Sequence, residues 1–310
     1  MELNKAFKLI KSYLSNILFI FFIIAFSFFI FNNKSDLIGL FDFNFFNLSF
    51  LTVLFILSYL IKTKLNQYLY STKNINMSYH EALNLIINST AGNLSTPFSL
   101  GTGYKFHYLK KKYNLTYSEH LNINIYLTIF TNLIFVLILV FISFFNYLNK
   151  DVIFYNLFLF WLFILFAGFF LFYTLSKEYK TKKLDFLNSY SIRSLNLSFS
   201  KIINIFIYTI LLLVINVLSH IYLFNLLGLE IQTSQIISYS CLSGLANIIK
   251  FTPGNFGINE SVLIISDLYH GLLPVQVIVS SLIFRFFSWL NILIFYGILN
   301  FQKFYNKKSK

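Results

Sequence analysis

The sequence predicts an all-α polytopic membrane protein with eight hydrophobic segments, six of them full spans and two of them broken, re-entrant helical hairpins. Three observations predict this class. Apolar runs recur along the chain at about the 20 residues that an α-helix needs to cross the hydrocarbon core. Polar breaks that contain a proline interrupt two weaker runs, and basic residues concentrate in alternate loops.

The six full spans follow from hydropathy. Hydrophobic residues make up 57% of the chain, and the mean hydropathy is +0.70, which indicates a membrane protein. The first run follows a lysine-bearing N-terminus and lacks a small-residue cleavage site, which favours a span over a cleaved signal peptide. The predicted spans lie at about 14 to 31, 45 to 61, 121 to 145, 152 to 175, 202 to 227 and 275 to 301.

The two weaker segments, 82 to 104 and 236 to 270, each contain a proline break. Non-helical backbone at membrane depth survives only where protein or an aqueous cavity satisfies its amide and carbonyl groups. Broken helices of this kind commonly line a substrate pathway. The residues expected to break or hinge the helices are Pro97, Gly101, Gly103, Pro253, Gly254 and Gly257.

The basic residues predict the orientation in the membrane. If both weak segments are re-entrant, 20 of the 24 Lys and Arg residues fall on one side, and only Lys34 and Lys150 fall in the opposite loops. The positive-inside rule then places both termini in the cytoplasm. Full spans in both weak segments would move ten basic residues, in 105 to 112 and 176 to 201, to the outside. The net charge of +13 therefore reflects the orientation in the membrane and predicts attraction to anionic lipid. It does not imply binding to nucleic acid.

The broken segments also mark an internal repeat. Aligning Pro97 with Pro253 gives an offset of 156 residues, and aligning Asn114 with Gly271, at the start of the following span, gives 157. Three spans separate the two broken segments, so we expect the copies to enter from opposite faces and to form a site near the midplane. The predicted units are repeat 1, 80 to 145, and repeat 2, 235 to 301, within a single transmembrane domain, 1 to 310.

Arg285 is the strongest candidate for a binding residue. It lies roughly 15 Å inside the last span, where a charge costs at least ~2.5 kcal/mol. Two interpretations stay open: an anion-binding cation that faces a cavity, and a cation paired within the protein for packing alone. Glu260 is expected to pair with Arg285, to hold the end of the returning half-helix, or to take up a proton. Asn259 or Ser261 is expected to cap that half-helix.

Three further groups complete the predicted headgroup site. Lys250 lies just before the second break, and Lys105 follows the first break near the cytoplasmic headgroups. The amide end of the half-helix after Gly257 carries a partial positive charge that suits phosphate or carboxylate. The predicted lipid-headgroup residues are Arg285, Lys250, Glu260 and Lys105.

No pattern in the chain indicates catalysis. The single cysteine, Cys241, has no neighbours at metal-ligand spacing and is expected to be a small core residue. The chain contains no nucleophile elbow, Walker loop, zincin helix or dinucleotide-binding glycine loop. We therefore expect no metal, no cofactor and no catalytic residue.

Both breaks carry a recognisable motif. The first reads Pro97-Phe-Ser-Leu-Gly-Thr-Gly-Tyr-Lys105, and the second reads Pro253-Gly-Asn-Phe-Gly-Ile-Asn-Glu260, followed by Leu282-Ile-Phe-Arg285. With these motifs the chain resembles, over about 80 to 301, the membrane region of lysylphosphatidylglycerol synthetases, a flippase-like family that includes standalone inner-membrane proteins. The departures are Thr102, Thr128, Ile129 and Asn259, at positions where the family usually or often has charged residues.

The resemblance implies a lipid translocase of the cell inner, or cytoplasmic, membrane. Its partner would be an anionic phospholipid or a polyprenyl-phosphate-linked saccharide. The cytosolic aminoacyl-transfer domain of the full synthetases is absent from the sequence, so aminoacylation of lipid is not expected. Two other functions stay open: a membrane anchor or regulatory subunit for a separate glycosyl- or aminoacyl-transferase, and an intramembrane enzyme acting on lipid headgroups, which the missing acid–base cluster disfavours.

Overall fold

Long helices alternate with short, paired helices in the computed structural model, which describes residues 49–96, 100–148, 152–176, 195, 198–248 and 252–308. These ranges contain helices, turns and loops, and no strand. The first predicted span, Pro97 and Lys250 lie outside the described residues. The helices are α1 (Ser49–Ser71), α2 (Tyr79–Ser95), α3 (Leu100–Tyr113), α4 (Tyr117–Leu148), α5 (Val152–Ser176), α6 (Phe199–Leu226), α7 (Thr233–Ala246), a 3-10 turn (Pro253–Asn255), α8 (Ile258–Ile265), α9 (Asp267–His270) and α10 (Pro274–Lys308).

Five of these helices, α1, α4, α5, α6 and α10, are long and apolar enough to cross a membrane. They coincide with the five predicted spans that fall within the described residues. On α5, Phe163, Phe166 and Phe170 expose between 65% and 72% of their surface, as expected where a helix faces lipid. The predicted all-α polytopic class is confirmed.

Helix α1 is longer than hydropathy predicted. The predicted span ends at 61, but the helix continues to Ser71 and includes Lys62 and Lys64. Lysine is a good helix former, so the helix need not end where the apolar run ends. The helix therefore continues past the predicted end of the span and carries both lysines.

Helices α2 and α3 form the first hairpin, and Glu81 closes its open end. The Glu81 carboxylate accepts hydrogen bonds from the Tyr108 and Tyr113 hydroxyls at 2.9 and 2.8 Å, and from the Lys112 ammonium at 2.6 Å. Glu81 is in the first turn of α2, whereas its three donors lie near the end of α3. The hairpin therefore begins and ends on the same side, which is the re-entrant arrangement.

The second hairpin is also built from antiparallel helical segments, but its returning arm is divided into shorter helices. It consists of α7, the 3-10 turn and the short helices α8 and α9, and α7 packs against both short helices. Gly271, which follows α9, lies against the side chain of Gln235 in the first turn of α7. The second hairpin therefore also returns to the side from which it starts.

The two hairpins open at opposite ends of the antiparallel pair formed by α1 and α6. At one end, the Lys201 ammonium near the start of α6 donates to the Ser71 carbonyl at 3.0 Å, and the short connection 72–78 leads from there into the first hairpin. At the other end, the rings of Phe50 and Tyr222 lie 4.8 Å apart. The second hairpin starts there, and six residues separate the end of α6 from the start of α7.

The turns that follow the two hairpins are alike in detail. Asn114 and Gly271, which the repeat offset aligns, both adopt left-handed backbone, with φ of 55° and 66°. The next helices begin with the same cap, because the Thr116 amide donates to Glu119 at 3.0 Å and the amide of Leu273 donates to Gln276 at 2.9 Å. These cap residues are 157 positions apart in each case.

Close packing of the first hairpin requires a glycine at position 101 but not at position 103. A Cβ at Gly101 would overlap the Ser89 carbonyl oxygen, and a Cβ at Gly92 would lie 2.8 Å from the Gly101 Cα. A Cβ at Gly103 would meet nothing within 4 Å. Gly101 therefore permits the two helices to touch, while Gly103 lies inside α3 without such a role.

We expect Gly101→Ala to destabilise the protein by roughly 2 kcal/mol, because the added methyl group must push α2 and α3 apart. The matched control Gly103→Ala is expected to be neutral or to stabilise by up to about 1 kcal/mol, since alanine is the better helix former. Thermal unfolding of the purified protein in detergent measures both. Equal unfolding temperatures for the two variants would contradict the packing argument.

Candidate functional site

Arg285 lies deep in α10 and contacts the second hairpin. It is about 16 Å from the start of the helix at 1.5 Å per residue. Its Nη2 is 2.7 Å from the Glu260 Oε1, and the guanidinium lies over the Phe256 ring, 4.7 Å from the centroid. Its Nη1 is buried and has no hydrogen-bond partner among the described residues. Nη2 is therefore bound by Glu260, whereas Nη1 has no partner in the part of the chain that the structure describes.

Glu260 holds three groups together. Besides the contact with Arg285, its Oε1 accepts a hydrogen bond from the Ser281 hydroxyl, and its Oε2 accepts one from the Gly257 amide at 2.7 Å. The carboxylate side chain is only 9% exposed. Of the three roles that the sequence left open for Glu260, the geometry brings together two: pairing with the arginine and capping α8.

The cap of α8 differs from the one expected. The sequence favoured Asn259 or Ser261, but Asn259 accepts a hydrogen bond from Ser243 at 3.3 Å, and the Ser261 hydroxyl donates to the Gly257 carbonyl at 2.6 Å. Glu260 takes the position instead, because its longer side chain reaches back to the amide that precedes the helix. The amide at the start of the half-helix is therefore already bound by a carboxylate.

The backbone of the second break uses left-handed conformations at Gly254 and Gly257, with φ of 56° and 83°. Glycine adopts these values without a steric cost. Pro253 begins the 3-10 turn, and Leu94 of the first hairpin packs on Gly254, where a Cβ would lie 3.2 Å from the Leu94 side chain. The tips of the two hairpins are therefore in contact.

A cavity of about 300 Å³ lies beside this contact, with Arg285 in its wall. Its lining is rich in hydroxyl and amide groups and includes a buried imidazole, that of His220, whose Nδ1 is 2.9 Å from the Ser240 hydroxyl. The polar lining residues include Ser58, Lys62, Thr90, Asn216, Ser219, His220, Tyr239, Ser243, Asn247, Asn259, Ser281, Arg285 and Ser288.

A second cavity, of about 530 Å³, adjoins the first on the side of the first hairpin. Lys105 lines it, and the Lys105 ammonium donates to the Asn66 side chain and lies 4.9 Å from the centroid of the Tyr70 ring. The walls of the two cavities share Ser58, Lys62, Thr90, Asn216 and Asn247. The two cavities therefore form a polar track between Arg285 and Lys105.

Lys62, at the junction of the two cavities, is the residue that sequence reasoning missed. It is exposed in the structure, and its ammonium lies 5.4 Å from the Tyr59 ring centroid. A signal was present in the sequence, since Ser58, Lys62 and Asn66 recur every four residues and lie on one helix face. Ending the span at 61 concealed this stripe.

The residues that line the two cavities offer cations, hydroxyls, amides and one imidazole. Among the described residues, no carboxylate lines either cavity. Within the described ranges, no group of three or more His, Cys, Asp or Glu side chains is placed to hold a metal ion. Cys241 is free and fully buried. Lys250 and Pro97 fall outside the described residues, so their predicted roles stay predictions.

Comparison with known families agrees with the motifs at the two breaks. The chain matches the family described as "Lysylphosphatidylglycerol synthase TM region" over residues 9–295. No curated protein and no solved structure matches the chain. The match spans nearly the whole sequence, including both hairpins and Arg285. The chain therefore belongs to the lysylphosphatidylglycerol synthase TM region family, and it is a multi-pass membrane protein related to lipids.

Proposed function

We propose that this protein binds the phosphate-bearing headgroup of an anionic lipid between its two hairpins and moves that lipid across the membrane. One observation carries the proposal: the Arg285 guanidinium, deep within α10, lines a polar cavity, and its Nη1 is unpaired among the described residues. An unpartnered buried donor costs about 1–3 kcal/mol, and more when it is charged. A phosphate oxygen would satisfy it.

The contacts of Arg285 explain why pairing for packing alone is the weaker interpretation. A purely structural arginine would be expected to use both terminal nitrogens on protein acceptors, because arginine forms forked, bidentate contacts. Here Glu260 contacts only Nη2, through its Oε1. Its other oxygen, Oε2, accepts a hydrogen bond from the Gly257 amide. The pair holds the guanidinium in place and leaves one edge for a ligand.

The opposed hairpins support movement in addition to binding. Each hairpin is open at a different end of the α1–α6 pair, and their tips meet beside the first cavity through Leu94 and Gly254. We propose that 80 to 145 and 235 to 301 are inverted repeats, and that alternate opening of the two hairpins gives the headgroup access to each leaflet. In this arrangement both termini are cytoplasmic and the protein lies in the cell inner membrane.

The experiment that tests the function is reconstitution into vesicles. Purified protein is placed in phosphatidylcholine vesicles that contain headgroup-labelled phosphatidylglycerol or a labelled polyprenyl phosphate, and the fraction of probe in the outer leaflet is followed with a membrane-impermeant quencher. We expect movement well above that in protein-free vesicles for at least one anionic probe. If the wild type moves none of the anionic probes, the proposed function is wrong.

We expect the two hairpins to open on opposite sides of the cell membrane. Single cysteines at Asn76 and Glu230, both exposed residues beside the open ends, are introduced in a Cys241→Ala background. An impermeant maleimide added to intact cells should label Glu230→Cys and spare Asn76→Cys until the membrane is permeabilised. External labelling at both positions would exclude opposed hairpins.

A further inference from the structure

An apolar groove of about 210 Å³ lies between α4, α5 and α6. Every residue that lines it is a leucine, an isoleucine or a phenylalanine. The groove opens outward, because Leu137, Phe169 and Phe206 in its wall are exposed. The residues that α4 contributes, from the middle of that helix, are Phe130, Leu133, Ile134 and Leu137. The groove therefore offers a hydrocarbon-like surface on the lipid side of the protein.

The polar track lies behind this groove. Phe130 lines the groove, and Thr131, the next residue of α4, lines the second cavity. On α6, Phe206 lines the groove and Thr209 lines the second cavity. At 3.6 residues per turn, neighbouring helix positions face different directions. The groove and the second cavity therefore lie on two sides of the same pair of helices.

The rings of Phe130 and Phe206 connect α4 to α6 beside the groove. Their centroids are 6.3 Å apart, in an edge-to-face arrangement. No residue of α4 from 127 to 133 is buried in the structure, whereas Tyr126 and Ile134, on either side of this stretch, are buried. An exposed side chain such as Phe206 changes rotamer rapidly. The ring pair is therefore a movable contact in a stretch where α4 has no buried side chain.

A lipid that moves through this protein needs two environments at once. Its phosphate-bearing headgroup suits the polar track, but its hydrocarbon chain does not, because apolar surface is unfavourable in polar, hydrated surroundings. The chain therefore stays in apolar surroundings while the headgroup crosses the wall of the helix bundle. The groove and the second cavity supply both environments, on two sides of α4 and α6.

We propose that the transported lipid enters the polar track sideways, between α4 and α6, and that its hydrocarbon chain lies in the apolar groove. This inference rests on the proposed function and adds to it the path of the lipid and the site of its chain. The Phe130 and Phe206 rings close the path in the arrangement described here, and they separate when a headgroup passes. Leu133 and Leu137 then contact the chain.

A reversible cross-link tests the path. Phe130→Cys and Phe206→Cys are combined in a Cys241→Ala background, and a short bifunctional methanethiosulfonate joins the two thiols. The protein is placed in phosphatidylcholine vesicles with headgroup-labelled phosphatidylglycerol or polyprenyl phosphate. We expect the cross-linked protein to move the probe no faster than protein-free vesicles do, and reduction to restore the rate of the unlinked variant.

The matched control for the cross-link joins α4 to α5 instead. Phe144 and Phe158 have ring centroids 5.5 Å apart, and neither residue lines the groove. Cross-linking Phe144→Cys to Phe158→Cys should leave movement unchanged. If linking positions 130 and 206 also leaves movement unchanged, the lipid does not pass between α4 and α6, and lipid movement by another path stands.

Filling the groove tests the site of the chain. Leu137→Trp places a larger side chain in the groove wall, so it should slow movement of the same probes by roughly 3- to 10-fold. The matched control is Leu159→Trp on α5, because Leu159 lies outside the groove and is 42% exposed, against 41% for Leu137. Equal rates for the two variants, at equal unfolding temperatures, would contradict a chain in the groove.

Photolabelling separates this proposal from the proposed function, since it requires no lipid movement. Phosphatidylglycerol with a diazirine in its acyl chain is added to the wild type in phosphatidylcholine nanodiscs, and labelled positions are mapped by mass spectrometry. We expect more label at 130 to 137 than at Phe163, Phe166 and Phe170, which are exposed on α5 outside the groove. Leu137→Trp should reduce the label in the groove.

The possible outcomes distinguish the two proposals. Preferential label in the groove, without movement of any anionic probe, would support the chain site and contradict lipid translocation. Movement of the probes with equal label inside and outside the groove would overturn the chain site and leave lipid translocation intact. Disulfide-linked dimers of Phe169→Cys, in the Cys241→Ala background and without lipid label in the groove, would show that a second copy of the chain covers it and would also overturn the proposal.

Discussion

Arg285→Ala is expected to slow lipid movement strongly while the protein still inserts into the membrane. Removing an intramembrane cation makes its helix easier to insert, but under the proposed function it also removes the donor that contacts the headgroup. A hydrogen bond to a charged group contributes about 1.5–3 kcal/mol, so loss of the Arg285 contact should slow movement of an anionic probe by roughly 10- to 100-fold. The vesicle assay with headgroup-labelled lipid measures this effect.

Two controls separate loss of the ligand contact from loss of structure. Arg285→Lys keeps a positive charge near Glu260 but cannot present a planar fork, so it should retain only part of the activity. Lys64→Ala removes a cation of the same sign from α1, outside both cavities, and should leave movement unchanged. Normal movement by Arg285→Ala would show that Arg285 does not contact the lipid during transport.

The sequence predicts the fold in those segments where one apolar run or one helix break determines the local structure. The five long helices follow from apolar runs, since hydrocarbon leaves few alternatives to a helix. The second break follows from Pro253, Gly254 and Gly257, because this combination cannot continue a helix and supplies left-handed backbone. The internal repeat added the expectation that both breaks belong to one site.

Other features depend on contacts between distant segments. The sequence analysis treated Gly101 and Gly103 alike, as hinge residues. Only the close approach of α2 shows that Gly101 is crowded and that Gly103 is not. Lys62 was placed outside the membrane because hydropathy treats a lysine as the end of a span. The structure places Lys62 in the walls of both cavities, and only the packing of α1 against the hairpins could show this.

The pairing of Glu260 with Arg285 was one of several open possibilities. The two residues are 25 positions apart, on different helices, and no periodicity relates them. The structure adds the Gly257 amide as a third member, so the carboxylate that pairs with the arginine also caps α8. The half-helix amide end expected to bind an anion is thus partly occupied by the Glu260 carboxylate.

The double variant Arg285→Met with Glu260→Gln is expected to restore stability without restoring lipid movement. Breaking a buried ion pair by removing one partner typically costs about 3–5 kcal/mol, whereas replacing both partners is often neutral. Glu260→Gln alone leaves the largely buried Arg285 unpaired, and Arg285→Met alone leaves the Glu260 carboxylate unpaired. Each single variant should therefore unfold at a lower temperature than the double variant, which keeps an amide oxygen for the Gly257 cap.

Two measurements decide whether the Arg285–Glu260 pair is structural or binds the ligand: thermal unfolding and vesicle transport. Both are made on the wild type, the two single variants and the double variant. A structural pair requires stability and movement to recover together in the double variant. A ligand-binding pair requires stability to recover while movement stays at the protein-free level, because neither methionine nor glutamine can replace the guanidinium donor. Wild-type movement by the double variant would mean that both charges serve packing and that the anion site beside Arg285 is wrong.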